Sequence, residues 1–402
     1  MEENLHQNIT EKNTSPVNNT VYEEPLPAPL QEAGGRDNEK IYPNGGGNKP
    51  DSRSDSRPDI KPDTMKSYRA DCLKLGFFLT VTLLIRDLAS GLSPLLERLF
   101  ENPDTASPSL VYAIKLMYSG ICLQIIPSIL AAVMLKYSLK NICGGFKAPK
   151  NTKKAIANFP ALYGAGMSVN LVTMGIILLL NAKGGIGDMV NTTGLNPPNF
   201  GSSFILFFLL TVIAPFFEEF IFRGAVLRLL QPYGNGLAIF VSAFCFGIYH
   251  GNFRQFFYAF ALGICLGYIA VATKSLFCST ILHALFNSVG GIIMIFISTD
   301  AFKIRALDPA AELTDGQHLV MTFYALFMTA VLITAIFGFA SMIKKLIKIK
   351  KFSPPKLWAE VSNGKKLAVL AHSGSVIAAE LLMIDVMGEN YMVKLILMLI
   401  GQ

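Results

Sequence analysis

Apolar runs of membrane-spanning length recur along most of this sequence. From Leu73 onward, stretches of about 20 apolar residues alternate with short polar connections, and a helix needs roughly 20 apolar residues to cross the hydrocarbon core of a bilayer. Because lipid offers no partner to backbone N–H and C=O groups, such runs must form membrane helices. Composition agrees, since 16% of residues are charged, against ~25% in soluble domains. We predict an all-α, polytopic membrane protein.

Eight runs are candidates for membrane spans, which predicts an eight-transmembrane-helix bundle. The predicted spans are residues 73–96, 109–135, 160–181, 201–222, 237–250, 255–273, 276–298 and 318–343. The fifth and sixth are short for a full crossing, so a broken or partly submerged helix pair is an alternative for them.

The polar segments complete a division into five parts. Residues 1–66 are rich in Asn, Pro, Gly and acidic residues and lack an apolar period, which predicts a disordered cytoplasmic tail. Residues 67–200 hold the N-terminal transmembrane helices, and 201–298 form a core with polar motifs. Residues 299–351 hold the last transmembrane helix, and 352–402 form a C-terminal cytoplasmic tail.

The positive charge belongs to the membrane part of the chain. Residues 71–402 carry 26 Lys and Arg against 16 Asp and Glu, and Lys residues cluster at 136–154 and 344–356. Basic residues beside apolar spans are typically retained in the cytoplasm. We therefore predict a multi-pass protein of the cell membrane with both termini cytoplasmic, and no nucleic-acid partner.

A small set of polar side chains falls inside the predicted spans. Each ionisable one costs at least ~2.5 to 3.5 kcal/mol at the centre of a span, so each needs a reason to be there. At a rise of ~1.5 Å per residue, four of them reach a similar depth in the inner half of the bilayer. We predict a polar cluster reachable from the cytoplasm, formed by Glu218, His250, His283 and Asn287, with Glu219 and Arg223 beside it.

Helical spacing separates the roles of the charged residues in the fourth span. Glu219 and Arg223 are four residues apart with the acid first, the favourable order for an ion pair on one helix face. Glu218 points about 100° away and is therefore predicted to be a functional carboxylate.

The two polar residues of the seventh span are also four apart. His283 and Asn287 lie on one face, and together their N–H groups can donate to a developing oxyanion. Alternatively, they and His250 serve as hydrogen-bonding links between helices.

Other polar and aromatic positions have structural interpretations. Phe246 is predicted to be a packing residue, and Gly263 with Gly267 to permit close helix packing. Arg86 and Asp87 are neighbours in sequence and do not face each other, so a pair with another helix or an interfacial position is favoured over catalysis.

The chemistry of the cluster suits peptide hydrolysis by two routes. A carboxylate in a membrane cavity can deprotonate water near neutral pH. Alternatively, Glu218, His250 and His283 supply three zinc ligands with an open fourth position, although no HExxH motif is present. The residues alone leave both routes open.

Three motifs resemble one family. EExxxR at Glu218 to Arg223, FxxxH at Phe246 to His250 and HxxxN at His283 to Asn287 occur in the order found in the CPBP family, which comprises CAAX-protease and bacteriocin-processing membrane proteins. The resemblance covers about residues 201–298.

The resemblance implies an intramembrane endopeptidase with an eight-helix bundle. It implies that Glu218 is the general base and activates water with His250, that His283 and Asn287 stabilise the oxyanion, and that Glu219 and Arg223 support the site. It implies a peptide or lipidated protein substrate met among membrane lipids. Of the two routes, we favour water activated by Glu218, which predicts no cofactor. The alternatives are a zinc metalloprotease, a non-enzymatic bacteriocin-immunity or scaffold protein, and a transporter, although no inverted repeat is apparent.

Overall fold

The computed structural model describes most of the membrane part of the chain. The described ranges are residues 65–100, 107–135, 145–146, 157–182, 197–251, 253–348 and 362–373, all within one compact unit, residues 55–402. Within these ranges the regular structure is helical and no strand occurs. Residues 1–64, most of the Lys cluster at 136–154 and residues 374–402 lie outside the described ranges, so the predictions for both tails stay predictions.

Ten helices follow one another along the described chain. They are α1 (Met65–Phe100), α2 (Pro108–Met134), α3 (Phe159–Ala182), α4 (Phe200–Tyr233), α5 (Asn235–Tyr249), α6 (Phe253–Thr273), α7 (Leu276–Ile297), α8 (Asp300–Leu307), α9 (Asp315–Lys348) and α10 (Asn363–Ala371).

The predicted spans all correspond to helices, but the count of eight is not established. Among the described residues, six helices are long and apolar enough to cross a membrane: α1, α2, α4, α6, α7 and α9. Helix α5 has 15 residues, which at ~1.5 Å each is short for a crossing. Helix α3 has 24 residues, and the side chains near its end lie outside the described part. The protein is thus an all-helical, multi-pass membrane protein.

Two helices extend well past their predicted bounds. Helix α1 begins at Met65, before the predicted 73, and α4 continues to Tyr233, beyond the predicted 222. The first two residues of α1 had been predicted to belong to the tail. Helix α1 begins with the polar residues that precede its apolar run, whereas α4 continues beyond Arg223 through the largely apolar residues 224–230. Neither a polar start nor one charged residue interrupts the backbone hydrogen bonding of the helix.

Helices α2 and α4 contain π-helical turns. Such turns lie at Ile121–Ile125 in α2 and at Leu209–Ile213 and Phe220–Val226 in α4. Pro127 follows the first and Pro215 the second. Proline has no N–H and its ring clashes with the preceding turn, so local widening is a usual response.

Close helix packing occurs at the glycines that the sequence identified. A Cβ on Gly263 would lie 2.9 Å from Ala243, and one on Gly267 would lie 3.2 Å from Ile239. These contacts bring α6 against α5, as predicted.

Three segments predicted to be cytoplasmic meet at one end of the bundle. The Tyr68 hydroxyl of α1 donates to the Lys366 carbonyl of α10 over 2.9 Å. The Lys366 ammonium donates to the Tyr233 carbonyl at the end of α4 over 3.0 Å, and the Tyr233 hydroxyl donates to Asp71 over 2.9 Å. These contacts place the start of α1, the end of α4 and α10 on the same side of the membrane.

Candidate active site

The acidic motif of α4 is buried inside the bundle. Glu218 is 8% exposed, and Glu219 and Arg223 are fully buried. The Arg223 guanidinium lies 2.9 Å from Oε1 of Glu219, so the ion pair that the i, i+4 spacing predicted is present. Both charges are withdrawn from lipid and from solvent.

Arg223 is also held by the helices on its other side. Its Nη2 donates to the carbonyl of Gly263 over 3.1 Å, and its guanidinium carbon lies 4.5 Å from the centre of the Phe246 ring. The close approach of α6 at Gly263 brings that carbonyl within reach. The ion pair therefore links α4 to both α5 and α6.

His283 of α7 contacts both glutamates. Its Nδ1 lies 3.1 Å from Oε1 of Glu219, and its Nε2 lies 3.5 Å from Oε2 of Glu218. An ionised carboxylate only accepts hydrogen bonds, so Nδ1 carries a proton toward Glu219. Nε2 faces Glu218. The two glutamates are thus connected through one imidazole, which spacing along α4 did not predict.

His250 lies directly after the end of α5, at the edge of this cluster. Its Nδ1 is 2.8 Å from the Phe246 carbonyl. A carbonyl only accepts, so Nδ1 carries the proton and Nε2 is the basic nitrogen of the neutral ring. The Phe246 ring packs edge-on against the rings of His250 and His283, at 4.8 and 5.4 Å between centres. Phe246 is a packing residue, as predicted, and it holds both imidazoles. His250 also interacts electrostatically with Glu218 and His283.

Asn287 reaches a backbone group that a proline leaves without its helical partner. In the π-helical turn of α4, the Ala214 N–H donates to the Leu209 carbonyl, five residues earlier. The next such pair would join the Leu210 carbonyl to Pro215, which has no N–H. The Asn287 amide donates to that Leu210 carbonyl over 3.0 Å. Asn287 thus links α7 to α4, while its role at an oxyanion stays a prediction.

The sequence analysis missed a residue of α2 that contacts the site. Nε2 of Gln124 donates to Oε1 of Glu218 over 3.3 Å. A lone amide within the apolar run ICLQIIP is the signal that could have identified it.

Arg86 of α1 contacts the connection after α5. Its guanidinium donates to the carbonyl of His250. A Cβ on Gly251 would lie 2.5 Å from Nε of Arg86, and Gly251 has φ +59°, in the left-handed region where glycine is unstrained. Arg86 thus contacts the residue that follows another helix, α5, and holds the backbone of a predicted site residue.

The donors of the zinc alternative are not gathered as ligands. Among the described residues, no group of three or more His, Cys, Asp or Glu side chains is arranged to hold a metal ion. Glu218, His250 and His283 therefore do not form such a set here, and metal dependence is a question for solution experiments.

Comparison with known proteins identifies the segment that carries these motifs. Residues 200–289 match a family described as "Type II CAAX prenyl endopeptidase Rce1-like", which is less than a quarter of the chain and includes all six predicted site residues. No curated protein matches the chain significantly, and neither does any solved structure. The match confirms that residues 200–289, within a multi-pass membrane protein, resemble the CPBP family of intramembrane proteases.

Proposed function

We propose that this protein is an intramembrane endopeptidase that hydrolyses peptide bonds through water activated by Glu218. The observation that carries the proposal is the buried cluster in which His283 contacts both Glu218 and Glu219, within the segment that matches CAAX prenyl endopeptidases. Ionisable groups are expensive inside a membrane and usually functional there. Glu219 has a structural role as the partner of Arg223, whereas Glu218 is the carboxylate that remains for chemistry.

In the proposed mechanism, Glu218 and His250 hold one water molecule. Glu218 takes a proton from the water, and the oxygen of the water attacks the carbonyl carbon of the substrate. His283 and Asn287 stabilise the negative charge that develops on the carbonyl oxygen. The proton held by Glu218 then passes to the leaving amine, the C–N bond breaks, and the products are a carboxylic acid and an amine.

The proposed substrates are membrane-associated peptides or CAAX-type proteins. The description of the matched family names prenyl endopeptidases, which favours a lipidated chain delivered through the bilayer. The proposed access is from the cytoplasmic side of the bilayer, which is the side that the Lys clusters indicate. The lipid part of such a substrate would stay in the membrane lipid while the peptide part enters the site.

Cleavage of a defined peptide tests the proposal. The purified protein is incubated in detergent with internally quenched peptides that end in a CAAX sequence, with and without a prenyl group. Glu218→Gln keeps the shape of the side chain but removes the proton acceptor, so turnover should fall by about 10² or more while melting temperature stays near that of the wild type. Full activity of a well-folded Glu218→Gln protein would contradict the mechanism.

Two alternatives have distinct outcomes in the same assay. A zinc metalloprotease would lose activity on chelation and regain it when zinc is added back, with stoichiometric zinc in elemental analysis; we expect activity to survive exhaustive chelation. A scaffold or immunity protein would cleave none of the peptides. The proposal requires cleavage that depends on Glu218.

A further inference from the structure

We propose that Gln124 of α2 is a positioning residue that orients the Glu218 carboxylate for catalysis. The inference rests on the proposed function and adds a residue to it from outside the matched segment. Gln124 lies 76 residues before residue 200, where the family match begins. The proposed site would then be completed by an N-terminal helix.

The two oxygens of the Glu218 carboxylate have neighbours on two different helices. Oε1 accepts from Nε2 of Gln124 over 3.3 Å, and Oε2 lies 3.5 Å from Nε2 of His283. Helix α2 thus holds one oxygen and helix α7 faces the other. A terminal carboxylate torsion is otherwise broad, so losing either contact lets the plane of the carboxylate rotate. A general base must sit within hydrogen-bond reach of the water that it deprotonates.

The backbone of α2 departs from regular α-helix at Gln124. Gln124 belongs to the π-helical turn Ile121–Ile125, and such turns insert one extra residue and recur at functional sites. An added residue turns the helix face by about 100°. The Tyr249 hydroxyl of α5 donates to the carbonyl of Leu123, four residues before Pro127, which cannot supply the usual N–H. The turn that presents Gln124 is therefore tied to the helix that precedes His250.

Among the described residues, Gln124 has no second side-chain partner that would explain its presence as a structural link. Its Oε1 is buried and accepts no hydrogen bond within the described part of the chain. A buried amide that leaves one atom unsatisfied costs free energy compared with an apolar side chain. The hydrogen bond that Gln124 makes to a functional carboxylate is therefore the one contact within the described residues that accounts for an amide at this position.

Gln124→Met tests this role, with Tyr118→Phe as the matched control. Methionine keeps the length of the side chain and removes the donor. Tyr118→Phe also removes a hydrogen bond of α2, the one to the Ala89 carbonyl of α1 at 3.1 Å, without touching Glu218. We expect Gln124→Met to lower kcat by about tenfold to a hundredfold, the loss of a hydrogen bond to a charged group, with KM within about twofold. Tyr118→Phe should leave kcat unchanged.

Combination with Glu218→Gln identifies the residue through which Gln124 acts. If Gln124 acts through Glu218, adding Gln124→Met to Glu218→Gln should lower the residual rate no further. An equal fractional loss in both backgrounds, or an unchanged kcat in Gln124→Met, would overturn the proposal while leaving the function of Glu218 intact.

A stability measurement checks the contact when no peptide is cleaved. In a double-mutant cycle on chemical unfolding, Gln124→Met and Glu218→Met should be non-additive, because each removes the hydrogen bond between Nε2 of Gln124 and Oε1 of Glu218. Additive effects would refute the contact whatever the activity. Non-additive effects in a protein without peptidase activity would sink the proposed function, and with it the role in orienting a catalytic base.

Discussion

Glu219→Gln is expected to destabilise the protein far more than the same change at Glu218. Glu219 is fully buried and forms an ion pair with a fully buried Arg223 at 2.9 Å. Glutamine keeps an oxygen that accepts from the guanidinium, but it removes the negative charge. Arg223 then remains as an uncompensated cation inside the membrane part of the protein.

The loss of stability expected for Glu219→Gln depends on the contacts that Arg223 keeps. Removing one partner of a buried pair costs about 3 to 5 kcal/mol, because the other charge stays buried. The bond to the Gly263 carbonyl and the face of the Phe246 ring remain, and they are already present in the wild type. Glu218 is partnered by the amide of Gln124 and by a histidine at 3.5 Å, so Glu218→Gln leaves no arginine unpaired and should cost under about 2 kcal/mol.

Unfolding in detergent micelles measures the difference. Wild type, Glu218→Gln, Glu219→Gln and the double variant Glu219→Gln with Arg223→Gln are compared by chemical denaturation and by melting temperature. The double variant should recover part of the stability that Glu219→Gln loses, because both charges are gone. A melting temperature of Glu219→Gln equal to that of the wild type, or a double variant no more stable than Glu219→Gln, would refute the argument.

Three further predictions follow from the geometry. Asn287→Ala should cost about 1 to 3 kcal/mol of stability, because the Leu210 carbonyl loses its donor. Adding Pro215→Ala should restore part of that stability by supplying a backbone N–H. If chemical denaturation shows the full loss in the double variant, the pairing is refuted. Gly251→Ala should cost about 1 to 2 kcal/mol from its left-handed backbone and displace Arg86, whereas Gly236→Ala, with open space around it, should melt like the wild type; equal melting of both would contradict this. Reporters fused at residue 150 or 352 should lie in the cytoplasm, because both positions lie within Lys clusters, and an external signal at either would overturn the topology.

The spacing of residues within one helix was enough to predict some of the observed contacts. The ion pair of Glu219 with Arg223 and the close packing at Gly263 both follow from the regular spacing of helical residues, and the structure contains both. The apolar runs predicted eight of the ten described helices and missed the short helices α8 and α10. They also underestimated the lengths of α1 and α4, because a charged residue that ends an apolar run does not end the hydrogen bonding of a helix.

Contacts between distant segments could not be read from spacing. Nothing in the sequence says that His283 reaches both glutamates, or that Gln124, 94 residues before Glu218, donates to it. These contacts depend on which helices pack together and at what height. The sequence supplied the polar residues, since each is an exception within an apolar run, while their partners come from the packing of α2, α4 and α7.

The irregular turns of α4 explain how two adjacent glutamates acquire different partners. Glu218 and Glu219 end a short α-helical stretch, Ala214–Glu219, between the π-helical turns Leu209–Ile213 and Phe220–Val226. Each added residue turns the following face by about 100°, so the direction of the carboxylates relative to the rest of α4 differs from that in a regular helix. The first turn also exposes the Leu210 carbonyl to Asn287, which fixes α7 and therefore His283 beside the glutamates. Pro215 is the sequence sign of this arrangement, because its missing N–H both favours the wide turn and creates the acceptor that Asn287 binds.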